Sequence, residues 1–133
     1  MTIIGILSDT HDNLIAIRKA VEVFDTHDVD LVFHAGDFIA PFSLISLFKF
    51  PCRLARGNND GEIRMLRKRV RNQDDCILEE VLLTEELDGK RIAMTHGHHS
   101  QVLSAILTSG SYDIVISGHT HQQTNEILSN QIQ

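Results

Sequence analysis

Seven side chains able to bind a cation recur along this chain in one kind of place: Asp9 and His11, Asp37, Asn58, His96, and His119 with His121. Each sits in a polar or glycine-containing turn that follows a short apolar run. In α/β proteins, ligands bind outside the carboxyl ends of strands, where residues distant in sequence collect. The seven therefore predict one site. Two carboxylates, one amide oxygen and four imidazoles are too many ligands for a single structural zinc and suit two divalent cations. Mixed oxygen and nitrogen donors fit Mn²⁺, Fe²⁺, Ni²⁺ or Zn²⁺ better than Mg²⁺ or Ca²⁺, which prefer oxygen alone. Two such ions roughly 3.5–4 Å apart can clamp a phosphoryl group, offset its charge and acidify a bridging water.

No piece is persuasive alone. Asp9-Thr10-His11 by itself reads as a helix-capping loop, and Gly36-Asp37 as a turn. Gly57-Asn58-Asn59-Asp60 reads as a turn of residues that tolerate left-handed backbone. The weight lies in their joint occurrence, each after a strand. Of eight histidines, five (His96, His98, His99, His119 and His121) fall in two short clusters, which points to metal chemistry.

The elements that must position these residues follow from the apolar pattern. Thr2 to Leu7, Asp30 to His34 and Asp113 to Ile116 are short apolar runs that predict buried strands, and Cys52 to Ala55 predicts a further short strand. Leu14, Ile17, Val21 and Phe24 recur at helical spacing, with Asp12 or Asn13 as cap. Pro41 suits the first turn of a helix continuing through Phe42 to Phe48. Glu62 to Arg71 predicts a basic helix, with Ile63, Leu66 and Val70 on one face. Its Arg64, Arg67, Lys68 and Arg71 form a solvated face, with a phosphate-attracting rim as the sharper alternative. Cys76 to Leu87 and Lys90 to Thr95 predict two strands joined by an Asp88-Gly89 hairpin turn. A helix from about Ser100 to Thr108, with Ser100 as N-cap, and a last strand over Gln122 to Leu128 complete the reading. The alternation predicts an α/β fold interrupted by one antiparallel pair.

At 133 residues, without repeats or linkers, the chain predicts a single domain. No apolar run reaches the roughly 20 residues of a membrane span, and Met1 to Gly5 lacks a basic n-region. A cytoplasmic location is expected. Cys52 and Cys76 have no metal-ligand spacing and predict buried thiols in a reducing compartment, with a disulfide between them as the alternative. A net charge of −6 argues against nucleic-acid binding as the main task.

The series Asp-x-His, Gly-Asp, Gly-Asn, Thr-His-Gly-His and Gly-His-Thr-His resembles the calcineurin-like metallophosphoesterases, and most of all the small YfcE-type bacterial and archaeal phosphodiesterases. The resemblance runs from Ile3 to about Asn130. It implies a four-layer α/β/β/α sandwich and hydrolysis of a small-molecule phosphodiester by a metal-bridging hydroxide. It also implies a division of ligands. Asp9, His11 and His121 would hold one ion, Asn58, His96 and His119 the other, and Asp37 would bridge them. Mn²⁺ is the first expectation for both. His98 would lie near the substrate phosphate. His34 and His99 match no role and read as structural or surface groups.

Two departures matter. Larger relatives carry a histidine after Gly-Asn that protonates the leaving group, whereas Asn59 stands here. Leaving groups of low basicity are then favoured, with His98 or metal-bound water as the evident proton donors. Relatives also run on past Gly-His-Thr-His through a further strand, whereas this sequence ends at Asn130-Gln131-Ile132-Gln133. Unpaired sheet edges would favour association, so a homo-oligomer is expected. A different class of function is a binding scaffold like the related retromer subunit. That subunit has an altered ligand set. All seven expected ligands are present here, which favours an enzyme.

Overall fold

A computed structural model of the chain describes residues 1–128. Among these residues, seven strands and four helical segments form a mixed α/β architecture. Strands β1 (Ile4–Leu7), β2 (Leu31–His34), β3 (Cys52–Ala55) and β4 (Cys76–Glu79) form one sheet in that order, all parallel. Strands β5 (Leu83–Leu87), β6 (Lys90–Met94) and β7 (Ile114–Ile116) form a second sheet. There β5 and β6 are antiparallel across the Asp88-Gly89 turn, and β6 and β7 are parallel.

The central strands β2 and β3 of the first sheet are buried on both faces, whereas the outer strands β1 and β4 leave Ile6 and Ile77 exposed. Val32, Cys52 and Leu54 face outward, into a cluster with Ile17 and Phe24 of helix α1 (Leu14–Thr26). Leu44 and Leu47 of a 3-10 helix (Pro41–Lys49), and Leu66 and Val70 of helix α2 (Ile63–Arg71), complete that cluster. Leu31, Phe33, Ala35 and Ala55 face inward and meet Leu83, Ile92, Met94 and Ile116 of the second sheet. Arg53 points inward too. Its guanidinium bonds Glu85 of β5 at 2.7 Å and Asp75 at 2.8 Å, so an otherwise costly buried cation ties the two sheets together. Helix α3 (Ser100–Thr108) makes the crossover from β6 to β7 that a parallel pair demands.

Several expectations are corrected. The run Cys76 to Leu87 is two strands, because the chain crosses between sheets at Glu80–Leu82. The helix opening at Pro41 is present as expected, in 3-10 form. The N-cap of α3 is His99, not Ser100, and it makes no side-chain cap bond. Gln122 to Leu128 is not a strand: among the described residues it pairs with no neighbour, and it is exposed, as its polar composition allows. The unusual ending at Asn130 to Gln133 lies outside the described residues. Among the described residues, no helix is long and apolar enough to cross a membrane.

Candidate metal centre

The loops after β1, β2, β3, β6 and β7 meet at one end of the two sheets. Main-chain bonds join the loops after β1 and β2, Asp9 N–H to Gly36 O at 2.9 Å and His11 N–H to Asp37 O at 2.9 Å, and the loops after β6 and β7, Gly118 N–H to His96 O at 2.9 Å. Asp9, His11, Asp37, His119 and His121 all lie in the left-handed region, with φ between +43° and +75°. Each such residue costs energy, and strain of this kind collects where side chains must be aimed.

Asp9, His11, Asp37 and His121 bring one ligand atom each to within 4.8 Å of one another. Nε2 of His11 is 3.3 Å from Asp37 Oδ2, and Nε2 of His121 is 3.2 Å from Asp9 Oδ1. His96 approaches from the buried side, its Nε2 3.4 Å from Asp37 Oδ1 and 3.9 Å from Asp9 Oδ1. Nδ1 of His96 lies 2.8 Å from Ala35 O and must donate to that carbonyl. The neutral ring therefore carries its free lone pair on Nε2, the form a metal ligand needs. His96 Nε2 and Asp9 Oδ1 are buried without a hydrogen-bond partner among the described residues. Such atoms are costly unless something fills the space between them. Their donor chemistry fits a divalent cation.

Asp37 is buried. Burial pushes its carboxyl up, but hydrogen bonds from the Asn59 backbone and side chain, with His96 and His11 nearby, hold it below the usual carboxylate range. Gly57 is required beside it, because a Cβ there would overlap the Asp37 carboxylate. At Gly118 a Cβ would overlap Ser8 and the Asp9 carboxylate. The Asp9 carboxylate also accepts from Ser8 Oγ and from the His119 N–H.

The other sequence-selected residues are arranged differently. His119 is exposed, its ring 5.2 Å from that of His96. Asn58 is exposed and lines a hollow with Arg56, Glu80, His98 and His99. His98 is half-buried, with Nδ1 unpartnered among the described residues. Burial first, and then the neighbouring His99, His96 and His119, lower its pKa. His98 and His99 lie close, with ring centres 4.0 Å apart.

The sequence reading missed the supporting roles of Asn59 and Asp60 and left His34 between a structural and a surface role. Asn59 holds Asp37, and Asp60 is buried as the acceptor for three backbone N–H groups, those of Asp37, Ile39 and Gly57. Burial pushes the Asp60 carboxyl up despite those bonds, and the charge of Asp37 adds to the push. His34 is fully buried. Its Nδ1 accepts from Gly36 N–H at 3.1 Å, so its Nε2 donates to Thr10 Oγ1 at 2.9 Å and anchors the Asp9–His11 loop. A buried His ending a strand was the available signal for this last role.

Comparison with known proteins gives a consistent picture. Residues 1–131 match the calcineurin-like phosphoesterase superfamily domain. A phosphodiesterase of Methanocaldococcus jannaschii is 39% identical over 125 residues, 92% of this chain and 75% of that protein. The solved structure of an archaeal phosphodiesterase superposes with a TM-score of 0.84 at 40% identity, covering 94% of this chain and 77% of the other. Vps29 of Chaetomium thermophilum superposes with a TM-score of 0.66 at 16% identity, over 92% of this chain and 64% of its own. At that identity the likeness shows the fold alone.

Proposed function

The chain belongs to the calcineurin-like phosphoesterase superfamily, and from that premise we propose that it hydrolyses phosphodiesters at a site for two divalent cations. The observation that carries the reading is the pair of buried atoms Asp9 Oδ1 and His96 Nε2 beside Asp37, unpartnered among the described residues. In this proposal Asp9, His11 and His121 hold one ion, Asn58, His96 and His119 the other, with Asp37 between them. Mn²⁺ is the first candidate, and Ni²⁺, Fe²⁺ and Zn²⁺ have suitable donors as well. When bound, the ions supply Lewis-acid charge neutralisation and acidify water near neutral pH.

The chain's own residues do the rest. The bond from His96 Nδ1 to Ala35 O fixes the ring's tautomer and its orientation. Asn59 keeps Asp37 ionised and restricts its rotation. His98, on the wall of the hollow shared with Asn58, is the side chain closest in role to a proton donor. Asn59 stands where larger relatives have a histidine and has no acidic proton to give. Substrates with weakly basic leaving groups should therefore turn over best.

The test uses metal-stripped protein and bis(p-nitrophenyl) phosphate, with Mn²⁺, Ni²⁺ or Mg²⁺ restored singly. Turnover restored by Mn²⁺ or Ni²⁺ and removed by a chelator supports the reading. Turnover that persists without metal, or none with any metal, overturns it.

A further inference from the structure

Cys52 and Cys76 take no part in the chemistry above, yet they are direct partners in the register of β3 and β4. Neighbouring strands lie about 4.7–4.9 Å apart. That is inside the roughly 4.4–6.8 Å Cα separation a disulfide spans. In-register residues of parallel strands point to the same face, and both thiols enter one apolar cluster, Cys52 within it and Cys76 against it. Both are free cysteines in this structure.

The two differ in access. Cys52 is fully buried, its thiol directed at the carbonyls of Leu47 and Phe50. Cys76 is half-buried and can meet a small oxidant. The neighbouring Cys52 thiol, with the Arg53 cation, draws the Cys76 thiol below its ordinary range against the effects of burial and Asp75. That favours the thiolate, the reactive form.

Closing a bond here needs a small movement. Parallel neighbours hold their Cβ atoms about a strand spacing apart, slightly beyond the roughly 3.5–4.5 Å of a relaxed disulfide. The strand that can move is β4. It lies at the edge of its sheet, with β3 as its one strand neighbour among the described residues. The resulting disulfide would be strained and easily reduced.

We propose that Cys52 and Cys76 form a reversible dithiol–disulfide site oxidised by peroxide. The Cys76 thiolate attacks one peroxide oxygen, the O–O bond breaks, and a sulfenic acid and hydroxide result. Sulfur of Cys52 then displaces the sulfenic hydroxyl, forming the S–S bond, while its proton leaves with hydroxide as water. Two thiols are oxidised and one hydrogen peroxide becomes two waters. A thiol reductant reverses the change.

The test exposes reduced, folded protein to hydrogen peroxide, traps remaining thiols with iodoacetamide and measures mass before and after digestion. The expected result is a monomer lighter by two hydrogens, with one peptide pair linked through Cys52 and Cys76. Mild dithiothreitol should reverse it, and Cys76→Ser should abolish it. Three results would overturn the proposal: Cys76 accumulating as sulfinic or sulfonic acid, a linkage between chains, or both thiols unchanged.

Discussion

Asn59 grips both oxygens of Asp37: its backbone N–H donates to Oδ1 at 3.0 Å and its side-chain amide to Oδ2 at 2.8 Å. A buried carboxylate held from one side by two donors can present its remaining lone pairs only toward His11 and His96. Partners of this kind, one shell out from a ligand, are worth about 10–100-fold in metal affinity or activity. Asn59→Ala should therefore weaken Mn²⁺ binding, measured by calorimetry, roughly tenfold or more while the circular dichroism spectrum stays unchanged. Unaltered affinity would show that Asp37 needs no such grip.

Asp60 does for the backbone what Asn59 does for the carboxylate. Its oxygens accept from Asp37 N–H at 2.9 Å, Ile39 N–H at 2.7 Å and Gly57 N–H at 2.7 Å. Asp60→Ala strands two buried donors and one part-buried donor, a buried one costing about 1–3 kcal/mol if left unpaired. Urea unfolding should show a loss on the order of 3 kcal/mol. A loss below about 1 kcal/mol would mean that water or a shifted loop satisfies those donors.

Much of this was legible in the sequence. Short, mostly apolar runs gave β1, β2, β3 and β7, and helical spacing gave α1 and α2. Asp88-Gly89 marked the hairpin, because a tight turn with positive φ needs such residues. The crossing at Glu80–Leu82 was not legible, since no glycine or proline marks the step between sheets. Asn59 and Asp60 read as ordinary turn residues because a turn-forming side chain looks the same whether it bonds its own turn or another loop. The metal-ligand candidates stood out because histidines and carboxylates after strands are chemically conspicuous. Their supports, including His34, did not, because hydrogen bonds between loops leave no periodic trace.

His34 should impose a pH dependence on stability. Burial, with His96 adding to it and Asp9 opposing, lowers its pKa from 6.5 to about 4. Below pH 6.5 the unfolded chain binds a proton at this site that the folded chain refuses until about pH 4. The unfolded state then holds more protons, so stability falls as pH falls across that window. The drop amounts to about 3 kcal/mol for a shift of this size. The stability difference between wild type and His34→Gln, measured in urea, should shrink by a similar amount from pH 7 to pH 4. A difference that stays constant would mean His34 titrates normally.

The most direct test of the two-cation account is the turnover of bis(p-nitrophenyl) phosphate by Asp37→Asn beside wild type at saturating Mn²⁺. Asp37 is the buried carboxylate facing both His11 and His96, and the substitution keeps its shape while removing its charge. The account predicts that wild type turns over with Mn²⁺ and that the variant, still folded, falls by at least about a hundredfold, toward the metal-free rate. Equal turnover in the two proteins would contradict it.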